Sequence, residues 1–193
     1  IICDGLAEKI RNRFQARDLK SFLKRIVSGP LKIHHEFRVS ISDCPNACSR
    51  PQIADIGLIG ACEPHVTDEI CSRCNACVET CLEEAISFPG DAPVVNAAKC
   101  LSCGKCIGVC PTGSLQKDRS GYRVLLGGKL GRHPKLATEL LGIFPAEQIP
   151  GVIDACLDYY TSHCRTGERL GEILEKRGVA EILGRSVPIP AKT

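Results

Sequence analysis

Eight of the fourteen cysteines fall into two matching runs, Cys71-x-x-Cys74-x-x-Cys77-x-x-x-Cys81 and Cys100-x-x-Cys103-x-x-Cys106-x-x-x-Cys110-Pro111. Two-residue gaps aim three successive sulfurs of one tight loop at three corners of an iron–sulfur cubane. In paired runs of this spacing the fourth cysteine ligates the other cluster. The spacing therefore predicts two [4Fe–4S] clusters, one held by Cys71, Cys74, Cys77 and Cys110, the other by Cys100, Cys103, Cys106 and Cys81. Disulfides and zinc are the competing uses of cysteine. Disulfides fit poorly in a chain with no visible secretory signal, and a zinc knot does not need four cysteines in each run. The chemistry implied is the movement of single electrons.

Composition narrows the partners. A net charge of +3 over 193 residues is too weak to argue for nucleic acid or a membrane surface. Aromatics make up 4 % with no Trp, so platforms for stacking bases are not expected. No apolar run approaches the roughly 20 residues of a membrane span. Fourteen cysteines then read as metal ligation in a reducing, oxygen-poor cytoplasm. The sequence starts Ile1-Ile2-Cys3 and contains no Met. Bulky Ile is a poor context for removing an initiator Met, so a longer natural chain is expected.

These cysteines need elements to hold them. Residues 71–87 and 100–116 repeat at an offset of 29, and short strands and one-turn helices are expected around two metal cages. A module of this size folds largely around its metal. Before it, residues 5–27 read as helix, with Leu19, Phe22, Leu23 and Ile26 on one face. Residues 37–41 and 53–60 read as strands, the first alternating and the second rich in small residues. After it come a strand at 122–126, a glycine loop (127–133), and a helix from Pro134 through about Leu141. A longer helix is predicted at 145–163, with Ile149, Val152, Ile153, Cys156, Leu157 and Tyr160 on one face and Pro150-Gly151 able to break its first turn. A last helix at 167–177 ends at Gly178, and Val187-Pro188-Ile189-Pro190 is extended. The expected class is α+β: one domain over 1–61 and 120–193, interrupted by an inserted module at 62–119.

A second constellation, Cys44-Pro45-Asn46-Ala47-Cys48, ends the strand at 37–41. A C-x₃-C pair alone is weak, since Cys is often simply buried. Its context, SISDCPNACSRPQIADIGLIG, resembles the siroheme-binding half of the sulfite and nitrite reductase family. LAEKIRNRF (6–14), GYRVLLGGKLGRHPKLATEL (121–140) and DACLDYYTSHCRTGERLGEILEKRG (154–178) extend the likeness over almost the whole chain. A ferredoxin-like two-cluster insertion at this place resembles the anaerobic and dissimilatory sulfite reductases. The resemblance implies that Cys44 and Cys48 ligate a third [4Fe–4S] cluster and that Cys48 bridges it to siroheme. It also implies an earlier C-x₅-C pair, expected just before residue 1. Cys3 alone cannot supply both of those sulfurs.

On this resemblance the clusters relay electrons from a donor protein or reductase subunit to a siroheme site, where sulfite or nitrite is reduced. Lys129, Arg132 and Arg50 are the candidate contacts for the anion or the siroheme carboxylates. Lys129 and Arg132 lie on the glycine loop, where backbone N–H groups before a helix also meet negative charge; a plain turn with solvated cations is the alternative. His34 and His35 are adjacent on an extended segment and would face apart. His133 reads as closing the loop, while Cys62, Cys156 and Cys164 read as buried or surface thiols. The competing function is an electron-transfer module on a siroheme-free scaffold.

Overall fold

Asp18 divides the N-terminal helical run in two. Its backbone is left-handed (φ 40°), and its carboxylate accepts the Ser21 N–H at 3.3 Å, starting a fresh helix. The predicted single helix over 5–27 is therefore α1 (Leu6–Arg17) and α2 (Leu19–Ile26). The computed structural model describes residues 5–179 and 181–182. Cys3 and the segment 187–190 lie outside the described residues.

A 3-10 turn at Ile33–His35 leads into β1 (Val39–Ser42). The strand begins two residues later than its alternation suggested. Phe37 instead packs against Tyr160 and Phe14, with ring centroids 4.9 and 5.8 Å away, and the Arg38 N–H donates to the Asp55 carboxylate at 2.8 Å. Ile53, expected to open the next strand, instead ends a second 3-10 turn, Pro51–Ile53. The strand itself, β2, runs from Ile56 to Val66, six residues past its predicted end.

Four short elements follow: α3 (Ala76–Glu79), β3 (Ile86–Ser87), β4 (Val94–Val95) and α4 (Lys105–Gly108). Then come β5 (Leu115–Leu126), β6 (Thr138–Glu139), α5 (Ile149–His163) and α6 (Leu170–Arg177). The main sheet has the order β1-β2-β5-β6. β1 lies parallel to β2, and β5 is antiparallel to both β2 and β6. The β2–β5 ladder runs from Ile56↔Leu126 to Val66↔Leu115, with one register shift between Cys62 and Pro64. Each of the two strands runs across an expected domain boundary, β2 across 61/62 and β5 across 119/120.

Alternation along these strands makes two faces. Ile56, Leu58, Tyr122, Val124 and Leu126 point into the main core with α1, α2, α5 and α6. Ile59 and Leu125 point the other way, onto Ala47 and Ala137. The predicted face of α5 is buried in full, and Pro150 sits in its first turn without breaking it, where a missing N–H costs nothing. Gly178 (φ 85°) caps α6 as expected. Below the ladder, Cys77, Ile86, Cys106 and Leu115 form a separate small cluster.

The helix predicted from Pro134 is absent. Lys129 and Lys135 bridge each other across the loop; the Ala137 N–H donates to the Gln52 carbonyl (2.7 Å) and Leu140 N–H to Val124 (2.8 Å). An unfilled edge of β5 draws this segment into β6, and tertiary pairing overrides local preference.

Beneath β2, Asp55 is fully buried. Its carboxylate takes the Arg169 guanidinium in a fork, plus the N–H groups of Arg38 and Leu170. This network joins the start of β2 to α6 and satisfies a charge that would be costly alone.

Candidate functional site

The two cysteine loops share one backbone conformation. Arg73 (φ 57°) and Asn75 (φ 60°) are left-handed, as are Ser102 (φ 53°) and Gly104 (φ 74°) at the same offset of 29. Each pair leads into a one-turn helix, α3 or α4, that carries the third cysteine. Backbone amides point at the first sulfur of each run: Arg73 N–H to Cys71 Sγ and Ser102 N–H to Cys100 Sγ, both 3.4 Å. The last sulfurs are served likewise, Cys81 by the Ala85 N–H at 3.3 Å and Cys110 by the Leu115 N–H at 3.4 Å. Such N–H···S bonds favour thiolate, the form that binds metal.

The chain crosses over between the loops. Cys81 lines one cleft with Cys100, Cys103 and Cys106. Cys110 lines the other with Cys71, Cys74 and Cys77. Among the described residues no three Cys, His, Asp or Glu side chains close to single-ion distance.

The sulfurs differ in acidity. Burial raises the Cys110 thiol, but hydrogen bonds from Ser114, the Leu115 N–H and Thr112 outweigh it and hold it at about 7. Cys106 is pushed up to about 11 by burial, then by Cys100 and Cys103. Burial also raises Cys77. Iron binding must displace these protons. Ser114 and Thr112 were not singled out from sequence. The available signal was two hydroxyl residues within four positions of the last cysteine.

Cys44 and Cys48 are exposed at the end of β1. Their loop is pinned by serines: Ser49 Oγ lies 2.6 Å from Ser42 Oγ and donates to the Ile41 carbonyl at 2.7 Å. Ala47 takes a left-handed turn and is buried against the sheet, leaving the flanking cysteines outside. Small residues in β2 admit this loop. A Cβ on Gly60 would stand 2.3 Å from the Asp43 carbonyl oxygen, and one on Gly57 equally close to that of Pro51.

Arg50 (φ 57°) begins the 51–53 turn and lines an open pocket with Ser40, Ser49 and Leu130. The glycine loop packs against that turn, since a Cβ on Gly128 would meet the Gln52 carbonyl oxygen at 2.4 Å. Lys129 turns away, its Nζ 2.7 Å from Glu172 in α6. Arg132 and His133 are exposed. His34 and His35 sit on a 3-10 turn with rings edge to face, and the Lys32 N–H bonds His35 Nδ1 at 3.1 Å. Cys156 is a core thiol pushed up to about 12 by burial, and Cys164, at the end of α5, is buried in the same core. Cys62 is half-buried and touches the second loop: a Cβ on Gly104 would stand 2.9 Å from its Cβ.

These cysteine loops sit on a mixed α/β scaffold. Residues 9–185 match the nitrite and sulphite reductase 4Fe-4S domain, and the chain belongs to that family. It is 35 % identical over 151 residues to a coenzyme F420-dependent sulfite reductase of Methanocaldococcus jannaschii, covering 77 % of this chain and 24 % of that protein. It is 26 % identical over 164 residues to the beta subunit of a dissimilatory-type sulfite reductase from Nitratidesulfovibrio vulgaris, covering 73 % and 43 %. The crystal structure of dissimilatory sulfite reductase I shares the fold, with a TM-score of 0.53 at 18 % identity over 81 % of this chain and 44 % of that one. The chain thus spans less than half the length of these relatives. Among the described residues no helix is long and apolar enough to cross a membrane.

Proposed function

We propose that this chain is the iron–sulfur portion of a sulfite reductase, nitrite being the alternative anion, and that its two cages form an inserted ferredoxin-like unit at 62–119. The observation that supports the reading is a pair of clefts, one lined by Cys81 with Cys100, Cys103 and Cys106, the other by Cys110 with Cys71, Cys74 and Cys77. Each proposed cage offers four sulfurs, two of which accept amide hydrogen bonds: Cys71 and Cys110 in one, Cys100 and Cys81 in the other. Those bonds hold charge on sulfur and help set the potential of a bound cluster.

Reduction of sulfite to sulfide consumes six electrons and six protons, which side chains cannot store. A siroheme coupled to a further [4Fe–4S] cluster would supply the redox and substrate-binding chemistry. The described residues fit only part of that group. Cys44 and Cys48 give two thiolates where a cubane takes four, so the other two must come from another segment or a partner subunit. Here the chain's own part is to hold Cys44 and Cys48 outward on the Ser42–Ser49 clamp and to present Arg50 beside them. Arg50 would bind a carboxylate or the anion, with Arg132 on the neighbouring loop; Lys129 must first leave Glu172. A reducing cytoplasm would keep these thiols available.

Anaerobic loading with iron and sulfide should give about eight irons per chain, two four-iron clusters. Cys81→Ser and Cys110→Ser should each damage one cluster and spare the other by EPR. A zinc protein, or a change in both clusters from either substitution, would overturn the assignment. The second reading, a siroheme-free electron-transfer module, is favoured by the half-set of thiols at 44–48. Co-purification with its partner subunit decides: siroheme absorbance supports the reductase, and its absence supports the module.

A further inference from the structure

The two cysteine runs repeat one another, so each position in one is a control for its match in the other. At the offset of 29, Cys110 matches Cys81, and Gly113 (φ 75°) matches Glu84 (φ 49°). Both runs turn left-handed there and then bury an apolar side chain, Leu115 in one and Ile86 in the other. One difference bears on sulfur. Ser114 stands where the first run has Ala85, and Thr112 where it has Glu83.

Ser114 is 2 % exposed, and its Oγ lies 3.4 Å from Cys110 Sγ. Thr112 Oγ1 donates to Ser114 Oγ at 3.2 Å. A thiolate holding iron has no proton to give, so Ser114 must donate to the sulfur. The result is a chain from Thr112 to Ser114 to Cys110, in which each bond polarises the next. Its backbone is pinned just past the end of β2. The Thr67 N–H donates to the Ser114 carbonyl (3.0 Å), and Thr67 Oγ1 donates to the Gly113 carbonyl (2.9 Å). The Leu115 N–H adds a second donor to Cys110 at 3.4 Å. Cys81 also accepts an amide, from Ala85 at 3.3 Å, but Ala85 has no hydroxyl to add.

We infer that the Ser114 hydroxyl raises the reduction potential of a cluster held by Cys71, Cys74, Cys77 and Cys110, and that Ala85 leaves the other cluster without this device. The inference rests on the iron–sulfur reading above. Reduction adds one electron to a cluster and spreads negative charge onto its sulfurs. A buried hydroxyl aimed at one of them favours that reduced form. The hydroxyl keeps its proton, and no bond to iron forms or breaks. Ser114 touches a ligand and not the substrate, so it is a tuning residue. A cluster raised in this way can be filled by a weaker reductant.

EPR-monitored potentiometry of the iron-loaded chain tests this, with dithionite as reductant and small-molecule mediators. Ser114→Ala should make one cluster about tenfold harder to reduce, a shift of about 59 mV for one electron, and leave the other unmoved. Ala85→Ser, which transplants the hydroxyl to the matching position, should raise the other cluster. Each variant is compared with the same cluster in the wild-type chain, so the differing charges around the two loops cancel. A Ser114→Ala shift that is absent, or shared equally by both clusters, overturns the inference. So does Ala85→Ser acting on the cluster that Ser114→Ala moves, or on neither. Iron is counted in every sample. A wild-type chain without about eight irons refutes the iron–sulfur reading itself, whereas full iron with unmoved potentials refutes only the role of Ser114.

Discussion

Asp55 shows what one residue can contribute that its sequence context hides. Its partner Arg169 is 114 positions away, and IADIGLIG reads as a strand of small residues with one stray acid. Only the fold reveals a buried carboxylate fully matched by donors. Asp55→Ala should destabilise the chain by about 3–5 kcal/mol, because Arg169 would be left buried and unpaired. Replacing both residues by apolar ones of similar volume should recover most of that loss, measured by denaturant unfolding. A single variant as stable as wild type would mean that solvent reaches the site. The eight cage cysteines are the opposite case. Their proposed grouping rests on spacing, because a metal cage needs a fixed ligand order whatever scaffold surrounds it. The hydroxyls of Ser114 and Thr112 that tune Cys110 depend on side-chain direction and could not be read with equal force.

At the scale of elements, period and burial were legible wherever one face met the core. The apolar face of α5 is such a case, and so is the α2 stripe of Leu19, Phe22, Leu23 and Ile26. Boundaries failed where a distant edge decided them. Pro134 has the local marks of a helix start, but β5 needed a neighbour and took residues 138–139 instead. β2 outran its prediction because β5 pairs with it to Val66. The glycines of β2 mark close approach. Gly60→Val should push Asp43 off the strand and loosen the 44–48 loop, at a cost of about 1–3 kcal/mol. Thermal melting, with the alkylation rates of Cys44 and Cys48, would register it; unchanged melting and alkylation would show that the loop does not depend on that contact.

Taken whole, the molecule has two unequal sources of stability. Helices on one face of the main sheet bury a large apolar core. The region between β2 and β5 buries only Cys77, Ile86, Cys106 and Leu115 in its own cluster, two of them candidate ligands. Chelating the iron should therefore unfold residues 67–114 while sparing the core. Limited proteolysis should then cut within 67–114 and leave the flanking segments intact; resistance of that region without iron would argue against metal-dependent folding. The shared strand has a further consequence for how such a protein could change. β2 is at once a wall of the core and the mount for both cages, so its length acts as a ruler. Adding or deleting one residue between Gly60 and Val66 would turn each later side chain to the opposite face. Every cysteine would remain present, yet the Cys62–Ser102 and Thr67–Ser114 backbone contacts that seat the two loops on β2 would be lost.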